Sequence, residues 1–196
     1  MKTTALLLLA VSFISQVRAA DEYKIDPAHT SLTFSVRHMG ISNVKGHFDD
    51  FTGTVVMDAG AVKEIKGTVK VKSVNTGVEK RDAHLKTADF FDVEKFPEMT
   101  FTTKNSKTED NHTVFVANFT LRGVTKEVTV PIKVSGPVKD PEGKTRIGLQ
   151  ANASLNRKDY GIKFNAALES GAALVGEEVT IEINAEAVKV EPAKTK

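Results

Sequence analysis

Three side chains that could take part in chemistry lie close together at the start of the stretch RDAHLKTADFF. Arg81 supplies a guanidinium, Asp82 a carboxylate and His84 an imidazole, so the group could catalyse proton transfer, hold a metal or bind a polar ligand. The stretch ends in Phe90 and Phe91, which equally suit a structural lid with an apolar underside. The function of the protein depends on which of these interpretations holds.

Metal binding and covalent catalysis are both disfavoured by the spacing of the other candidates. The five histidines are widely spread: His29, His38, His47, His84 and His112. They form no His-x-His or His-x3-His pair, and the chain has no cysteine to act as ligand or nucleophile. A Gly-x-Ser-x-Gly motif is also missing. The sequence therefore predicts no metal site, no catalytic residues and no enzymatic activity.

The amino terminus has the features of a secretory signal. Lys2 precedes an apolar run from Ala5 to about Ile14, and Val17 and Ala19 are small enough for cleavage after Ala19. The run is shorter than the ~20 residues that cross a bilayer core. We therefore expect residues 1–19 to be a signal peptide, and the mature protein to be exported without stable membrane insertion.

Charge and cysteine content restrict the partners and the source of stability. The chain has 27 Lys and Arg against 25 Asp and Glu, and the leader contains two of the basic residues, Lys2 and Arg18, and no acidic one. A mature chain near neutrality, without a basic cluster, argues against nucleic acid as a partner. Without cysteine, stability must come from burial, in a single domain over residues 20–190 with a frayed tail at 191–196.

Alternation with a period of two residues dominates the remaining sequence. Leu32, Phe34 and Val36 alternate with polar residues, and the same pattern recurs around Val130, Leu149 and several later positions. Strands with one apolar and one polar face indicate an antiparallel sheet, because parallel sheets are buried on both faces. We count roughly eight such strands, and the pattern predicts an all-β protein.

The same alternation is compatible with a two-sheet sandwich or with a closed barrel. Two features favour the barrel. The segment from Val44 to Met57 is long and contains Gly46 and Gly53, which suggests a strand bent at glycines. Small inward residues such as Ala151, opposite bulky Phe on other strands, would leave the interior incompletely filled.

A segment of different character separates the strands that end near Val74 and begin near Met99. Asp82 to Lys86 could form a short helix, and Pro97 would end any helix that precedes it. Because the segment also carries several phenylalanines, we expect a cap that covers one end of the sheet. Arg81 and Asp82 would then anchor this cap to the rim.

Four motifs together resemble the YceI-like family of exported bacterial proteins. They are YKIDPAHTSLTFSVRHMGISNVKGHF, TGVEKRDAHLKTADFFDVEKFPEMTF, LRGVTKEVTVPI and NRKDYGIKF, in this order along the mature chain. The family pattern falls on these positions: His29, His38, Gly46, Phe48, Arg81, Asp82, His84, Leu85, Phe90, Phe91, Phe96, Pro97, Gly123, Thr125, Arg157 and Gly161. Tyr160 stands where the family usually has Phe.

The resemblance implies an extended eight-stranded antiparallel barrel like a lipocalin, with an apolar pore that holds an isoprenoid chain or a similar amphiphile. The expected pore residues are Leu32, Phe34, Val36, Phe48, Val69, Val71, Phe90, Phe91, Phe101, Leu149 and Ala151. His38, Arg81, His84 and Arg157 are the candidates for contact with a polar head group. We expect a periplasmic carrier or storage protein that needs no cofactor beyond its bound isoprenoid, isoprenoid quinone or fatty amphiphile.

Two alternatives stay open at this point. An enzyme acting on an amphiphile would use His38 or His84 as acid or base, and a structural β-domain would have a filled core. The identity of the lipid, its donor and acceptor, and the pairing of two barrels into a homodimer are likewise open.

Overall fold

The chain folds into one continuous sheet with a short helical insertion. The computed structural model describes residues 20–109, 112–166 and 173–191; the predicted signal peptide and residues 192–196 of the predicted tail lie outside this range. The strands are β1 (Asp21–Ile25), β2 (Ser31–His38), β3 (Ser42–Phe48), β4 (Phe51–Asp58), β5 (Ala61–Lys70), β6 (Val74–Asn75), β7 (Glu98–Glu109), β8 (His112–Leu121), β9 (Val124–Lys139), β10 (Thr145–Asn156) and β11 (Val175–Lys189). The α-helix is α1 (Glu79–Leu85), and short 3-10 helices span Pro27–His29, Val71–Ser73 and Arg157–Tyr160.

These segments combine into eight long antiparallel strands that close into a barrel. β1 and β2 lie one after the other along β11, with Ile25 opposite Ala187 and Leu32 opposite Ile183. β3 and β4 form the next long strand, with β3 beside β2 and β4 beside β1. β5 and β6 form the one after it, with β5 beside β4 and β6 beside β3. From β7 to β11 each strand pairs with the next, and the β1–β11 pairing closes the ring. The predicted eight-stranded antiparallel barrel is confirmed.

The long strand predicted from Val44 to Met57 is interrupted, but not at its glycines. The break falls at Asp49 and Asp50, between β3 and β4, while Gly46 and Gly53 lie inside those strands. A side chain on either glycine would collide with a neighbour: a Cβ at Gly46 would lie 2.4 Å from the Phe34 ring, and one at Gly53 would lie 2.9 Å from the Lys66 carbonyl oxygen. These glycines therefore permit close approach across the barrel wall.

The cap lies between β6 and β7, as expected, but its helix begins earlier than the sequence indicated. α1 runs from Glu79 to Leu85 instead of from Asp82 to Lys86, with Val78 as an extended N-cap residue. Two acidic residues in its first turn favour the positive end of the helix dipole. The helix has ended well before Pro97, whose carbonyl oxygen accepts a hydrogen bond from the Val71 amide.

The buried residues form two separate clusters inside the barrel. One surrounds Phe115, Ile147 and Val55, at the end where β1 meets β11. The other contains Phe48, Leu121 and further residues near the cap. Partly buried hydrophobic residues pack against each cluster, among them Phe101 against the first and Phe34 against the second.

Candidate functional site: the barrel interior and its cap

Apolar side chains in the middle of the barrel are only partly buried. Phe34, Ile181 and Ala153 lie opposite one another on three adjacent strands, with their side chains on the inward face, and each is intermediate in exposure. Phe101 and Phe119 form a second cross-strand pair of the same kind. Phe115, in the first cluster, is by comparison 0% exposed. Phe101 and Ala153 pack against the first cluster, and Phe34 and Phe119 pack against the second.

The predicted pore residues separate into two groups. The partly buried ones are Leu32, Phe34, Val36, Val69, Phe90, Phe91 and Phe101. The others are buried within the two clusters: Phe48, Val71, Leu149 and Ala151. Parity along a strand predicts that a side chain points inward, but it does not say whether another side chain already covers it. Contact of either group with a ligand stays a prediction.

The cap covers one end of the barrel with aromatic rings. Phe91 contacts Phe48 of β3 edge to face, with a centroid distance of 5.9 Å, and Phe48 in turn contacts Phe34 at 5.6 Å. Phe90 packs on Phe164, at 4.9 Å. A continuous series of aromatic contacts therefore connects the cap to the middle of the barrel.

Arg81 and Asp82 hold the start of the cap through Thr76. The Arg81 guanidinium donates to the Thr76 hydroxyl at 2.7 Å and to its carbonyl oxygen at 2.9 Å. The Asp82 carboxylate accepts from the Thr76 amide at 2.9 Å and from its hydroxyl at 2.5 Å. These bonds fix the turn that precedes α1. Both charged groups thus have structural partners here, as expected of an anchor.

His84 lies in an aromatic pocket on the outside of the cap. Its ring makes edge-on contacts with Phe90 at 5.0 Å and Phe164 at 4.9 Å, and its Nε2 is 2.9 Å from a carboxylate oxygen of Asp89. The His84 side chain remains 43% exposed. His38 is on a different element, at the end of β2 opposite Ser42 and Val175. The proposed contact of His84 and His38 with a ligand head group stays a prediction.

Arg157 is buried and bonded to backbone carbonyl groups. It is 3% exposed, and its three guanidinium nitrogens donate to Gly176, Ile162 and Val175 at 2.7, 2.8 and 3.1 Å. Burial lowers its pKa, with the nearby Glu177 carboxylate acting in the opposite direction. The side chain ties the segment after β10 to the start of β11. Its predicted contact with a ligand head is untested.

Three residues that take part in this arrangement were missed in the sequence. Thr76 is the common partner of Arg81 and Asp82, Asp89 pairs with His84, and Phe164 covers both His84 and Phe90. Phe164 is the last residue of the fourth family motif, and its place in that motif could have indicated its role. Nothing in the sequence around Thr76 and Asp89 indicates their partners, and only the fold brings them together.

Two open clefts lie on the outer surface, each of about 510 Å³. One is at the end away from the cap and is lined by Arg146, Asp140 and Glu186 among others. The second runs beside β2 and β3, where outward residues such as Thr33 and Lys45 line it together with Phe34. Both clefts are open to solvent and include charged side chains of the outer face, such as Arg146 in the first and Lys45 in the second, and we place the candidate site inside the barrel.

A closed antiparallel barrel with an apolar interior and an aromatic cap belongs to the lipocalin-like class. The chain matches the YceI-like domain over residues 23–187, and it belongs to that family. Within the described residues, no helix is long and apolar enough to cross a membrane.

Relatives and solved structures agree with this assignment. A UPF0312 protein of Staphylococcus aureus is 39% identical over 167 residues, which cover 84% of this chain and 95% of the relative. The crystal structure of a Campylobacter jejuni YCEI protein has a TM-score of 0.68 and 31% identity, and covers 79% of this chain and 90% of that one. A polyisoprenoid binding domain from Saccharophagus degradans has a TM-score of 0.63 at 17% identity, covers 86% of this chain and 98% of its own, and shows likeness of fold alone.

Proposed function

We propose that this chain is a periplasmic carrier or storage protein that holds a polyisoprenoid, or a similar long-chain amphiphilic lipid, inside its barrel. The observation that carries the proposal is a closed barrel with an apolar interior whose lining includes side chains that are only partly buried, such as Phe34, Phe101 and Ala153. The predicted signal peptide supports export. The Saccharophagus degradans domain named for polyisoprenoid binding supports the proposal because a barrel of the same fold bears that name.

Burial of hydrocarbon accounts for the affinity in this proposal. Each Å² of apolar surface removed from water contributes about 25 cal/mol, so several hundred Å² contribute on the order of 10 kcal/mol before the cost of immobilising the chain. Chain length therefore sets affinity, and polar groups set orientation. His38 and His84 are the proposed neighbours of the head group, whereas Arg81 and Arg157 act mainly through the bonds that hold the cap and the mouth.

Native mass spectrometry of gently purified protein tests the proposal. We expect a protein peak that carries the added mass of a lipid, and we expect Ala153→Trp to reduce the occupied fraction several-fold because the indole fills the space beside Phe34 and Ile181. The matched control is Ser154→Trp, on the outward face of the same strand, which should retain the lipid. Circular dichroism establishes that both variants are folded.

The proposal is wrong if wild-type protein carries no lipid after gentle purification and takes up no polyprenol added in ethanol. Catalysis is tested in the same samples. We expect the lipid recovered after incubation to be chemically unchanged, for wild-type protein and for His38→Ala and His84→Ala alike. If wild-type protein consumed the lipid and either substitution abolished this consumption, the result would instead support an enzyme.

A further inference from the structure

The turn between β2 and β3 exposes large apolar side chains to solvent. Ile41 is 77% exposed and Met39 is 39% exposed. The turn itself is well defined, because Met39 and Gly40 adopt positive φ angles and the Arg37 Nε donates to the Gly40 carbonyl oxygen at 3.1 Å. The apolar tip is therefore a formed feature of the hairpin.

This tip extends past the neighbouring wall of the barrel. Within the described residues, β3 pairs with β6 only at His47 and Phe48, so its first half is bonded to β2 alone. Val78, which is 48% exposed, precedes α1 and follows Thr76 by two residues. Thr76 itself lies against Gly46 of β3. In the part of the chain that the structure describes, the mouth of the barrel thus carries exposed apolar groups.

The same hairpin lines the interior. Val36 and Val44 lie opposite each other just inside the tip, and Phe34 lies opposite Gly46 one step deeper. Their side chains share the inward parity of β2 and β3, and Phe34 belongs to the partly exposed lining. An apolar path therefore leads from Ile41 to the proposed binding space. A lipid moving along this path would stay in contact with apolar side chains.

The hairpin is also locally cationic. Residues 31–48, which make up β2, its turn and β3, contain Arg37 and Lys45 but no Asp or Glu, although the whole chain has nearly equal numbers of basic and acidic residues. Acidic side chains near the mouth lie on other elements, and one of them, Glu177, is paired with Lys158 at 2.5 Å. An exposed apolar tip flanked by cationic residues is complementary to a bilayer surface with anionic head groups.

We propose that the β2–β3 hairpin docks the protein on an anionic bilayer, with Met39 and Ile41 inserted at the level of the head groups and the mouth facing the lipid. The inference rests on the proposed lipid-carrying function and adds the surface from which the lipid is taken or to which it is delivered. Docking at this position lets a long chain enter the barrel without crossing water. Arg37 and Lys45 make the docking weaker at high salt.

Tryptophan fluorescence can detect this insertion directly, because the natural chain contains no Trp. The Ile41→Trp variant should show a blue shift of its emission with vesicles of phosphatidylcholine and phosphatidylglycerol, and a smaller shift with phosphatidylcholine alone. The matched control is Val138→Trp, near the end of β9 at the opposite end of the barrel, where Val138 is 61% exposed. This control should show no shift with either vesicle.

Lipid transfer separates failure of docking from failure of lipid binding. We expect the double variant Met39→Asp/Ile41→Asp to bind the anionic vesicles about tenfold less and to extract polyprenol from them correspondingly more slowly. The same variant should take up polyprenol added in ethanol as well as wild-type protein does. A variant that fails in both assays would mean that the hairpin is part of the pore and not a docking surface.

The docking proposal is overturned if the emission of Ile41→Trp does not respond to anionic vesicles, or if the double Asp variant binds them as well as wild-type protein. It is also overturned if wild-type protein ignores vesicles but dimerises in analytical ultracentrifugation and the Asp variant stays monomeric. In that case the occupant of the tip is a second copy of the chain.

Discussion

At the scale of single residues, Arg157 was predicted to contact a ligand head group, but its guanidinium is hydrogen-bonded to the protein's own backbone. Its guanidinium lies under the start of β11 and donates to three carbonyl groups. The planar fork of Arg suits several acceptors at once, whereas a Lys ammonium in the same place could satisfy fewer of them. We therefore interpret Arg157 mainly as a residue that positions the mouth of the barrel.

Replacement of Arg157 distinguishes these roles. Arg157→Lys should lower the free energy of unfolding by about 2–4 kcal/mol, because buried carbonyl groups lose charged donors, and urea denaturation measures the loss. The exposed neighbour Lys158, replaced by Ala, is the control and should cost under about 1 kcal/mol. Unchanged stability of Arg157→Lys together with loss of bound lipid would instead indicate direct contact with the ligand.

At the scale of elements, β4 and β5 are built around a close approach of their backbones to neighbours. Gly53 and Gly67 lie directly opposite each other across this strand pair. A Cβ on Gly53 would meet Ile25 at 2.8 Å and the Lys66 carbonyl oxygen at 2.9 Å, while a Cβ on Gly67 would have nothing nearer than 3.9 Å. The two facing glycines therefore differ: close neighbours leave no room for a side chain at Gly53, whereas Gly67 has room for one.

This difference predicts opposite outcomes for the same substitution. Gly53→Ala should destabilise the protein by about 1–3 kcal/mol, because the backbone must move to admit the methyl group. Gly67→Ala should be neutral or stabilising by up to about 1 kcal/mol, because it restricts the unfolded chain without a clash. Thermal unfolding of the two variants compares them, and equal effects would contradict a close approach at Gly53.

At the scale of the whole molecule, closure of the barrel is reinforced by residues from distant parts of the chain. Arg146 of β10 contacts Asp26 at 2.7 Å, Asp140 at 2.7 Å and Glu186 at 3.2 Å. These partners lie after β1, in the β9–β10 connection and in β11. Hydrogen bonds from Arg146 and His29 lower the pKa of Asp26 to about 2, and Arg146 also lowers the pKa of Asp140.

The lowered carboxylate pKa values make the closure sensitive to acid. Since Asp26 ionises near pH 4 when unfolded and near pH 2 when folded, its contribution to stability is complete above about pH 4 and is lost as the pH falls towards 2. Arg146→Gln should therefore lower the unfolding free energy by about 2 kcal/mol at pH 7 and by much less near pH 2. Denaturant titrations across this range measure the difference.

A surface pair supplies the control for this experiment. Lys104 contacts Glu127 at 2.7 Å with both side chains about half exposed, so Lys104→Gln should cost under about 1 kcal/mol at neutral pH. If the Arg146→Gln deficit stayed constant from pH 7 to pH 2, the linkage to Asp26 and Asp140 would be refuted.

Alternation along the chain was sufficient to predict the strands, their antiparallel pairing and the inward face of most lining residues. This holds because a side chain's face depends only on its position within its own strand. The family motifs then predicted closure into a barrel, which alternation alone had left open against a sandwich. The start of α1 and the break at Asp49 and Asp50 escaped prediction, since both depend on contacts with other elements.

The sequence by itself determined that Phe34, Val36 and Phe101 point into an apolar interior, because strand parity is local. Only the tertiary structure decided that Phe48 and Leu149 are already covered by neighbours, that Arg157 is bonded to backbone carbonyls, and that the Ile41 tip stays uncovered. Packing and hydrogen bonding join residues far apart in the chain, so they follow from the closed register of eight strands and not from any one segment.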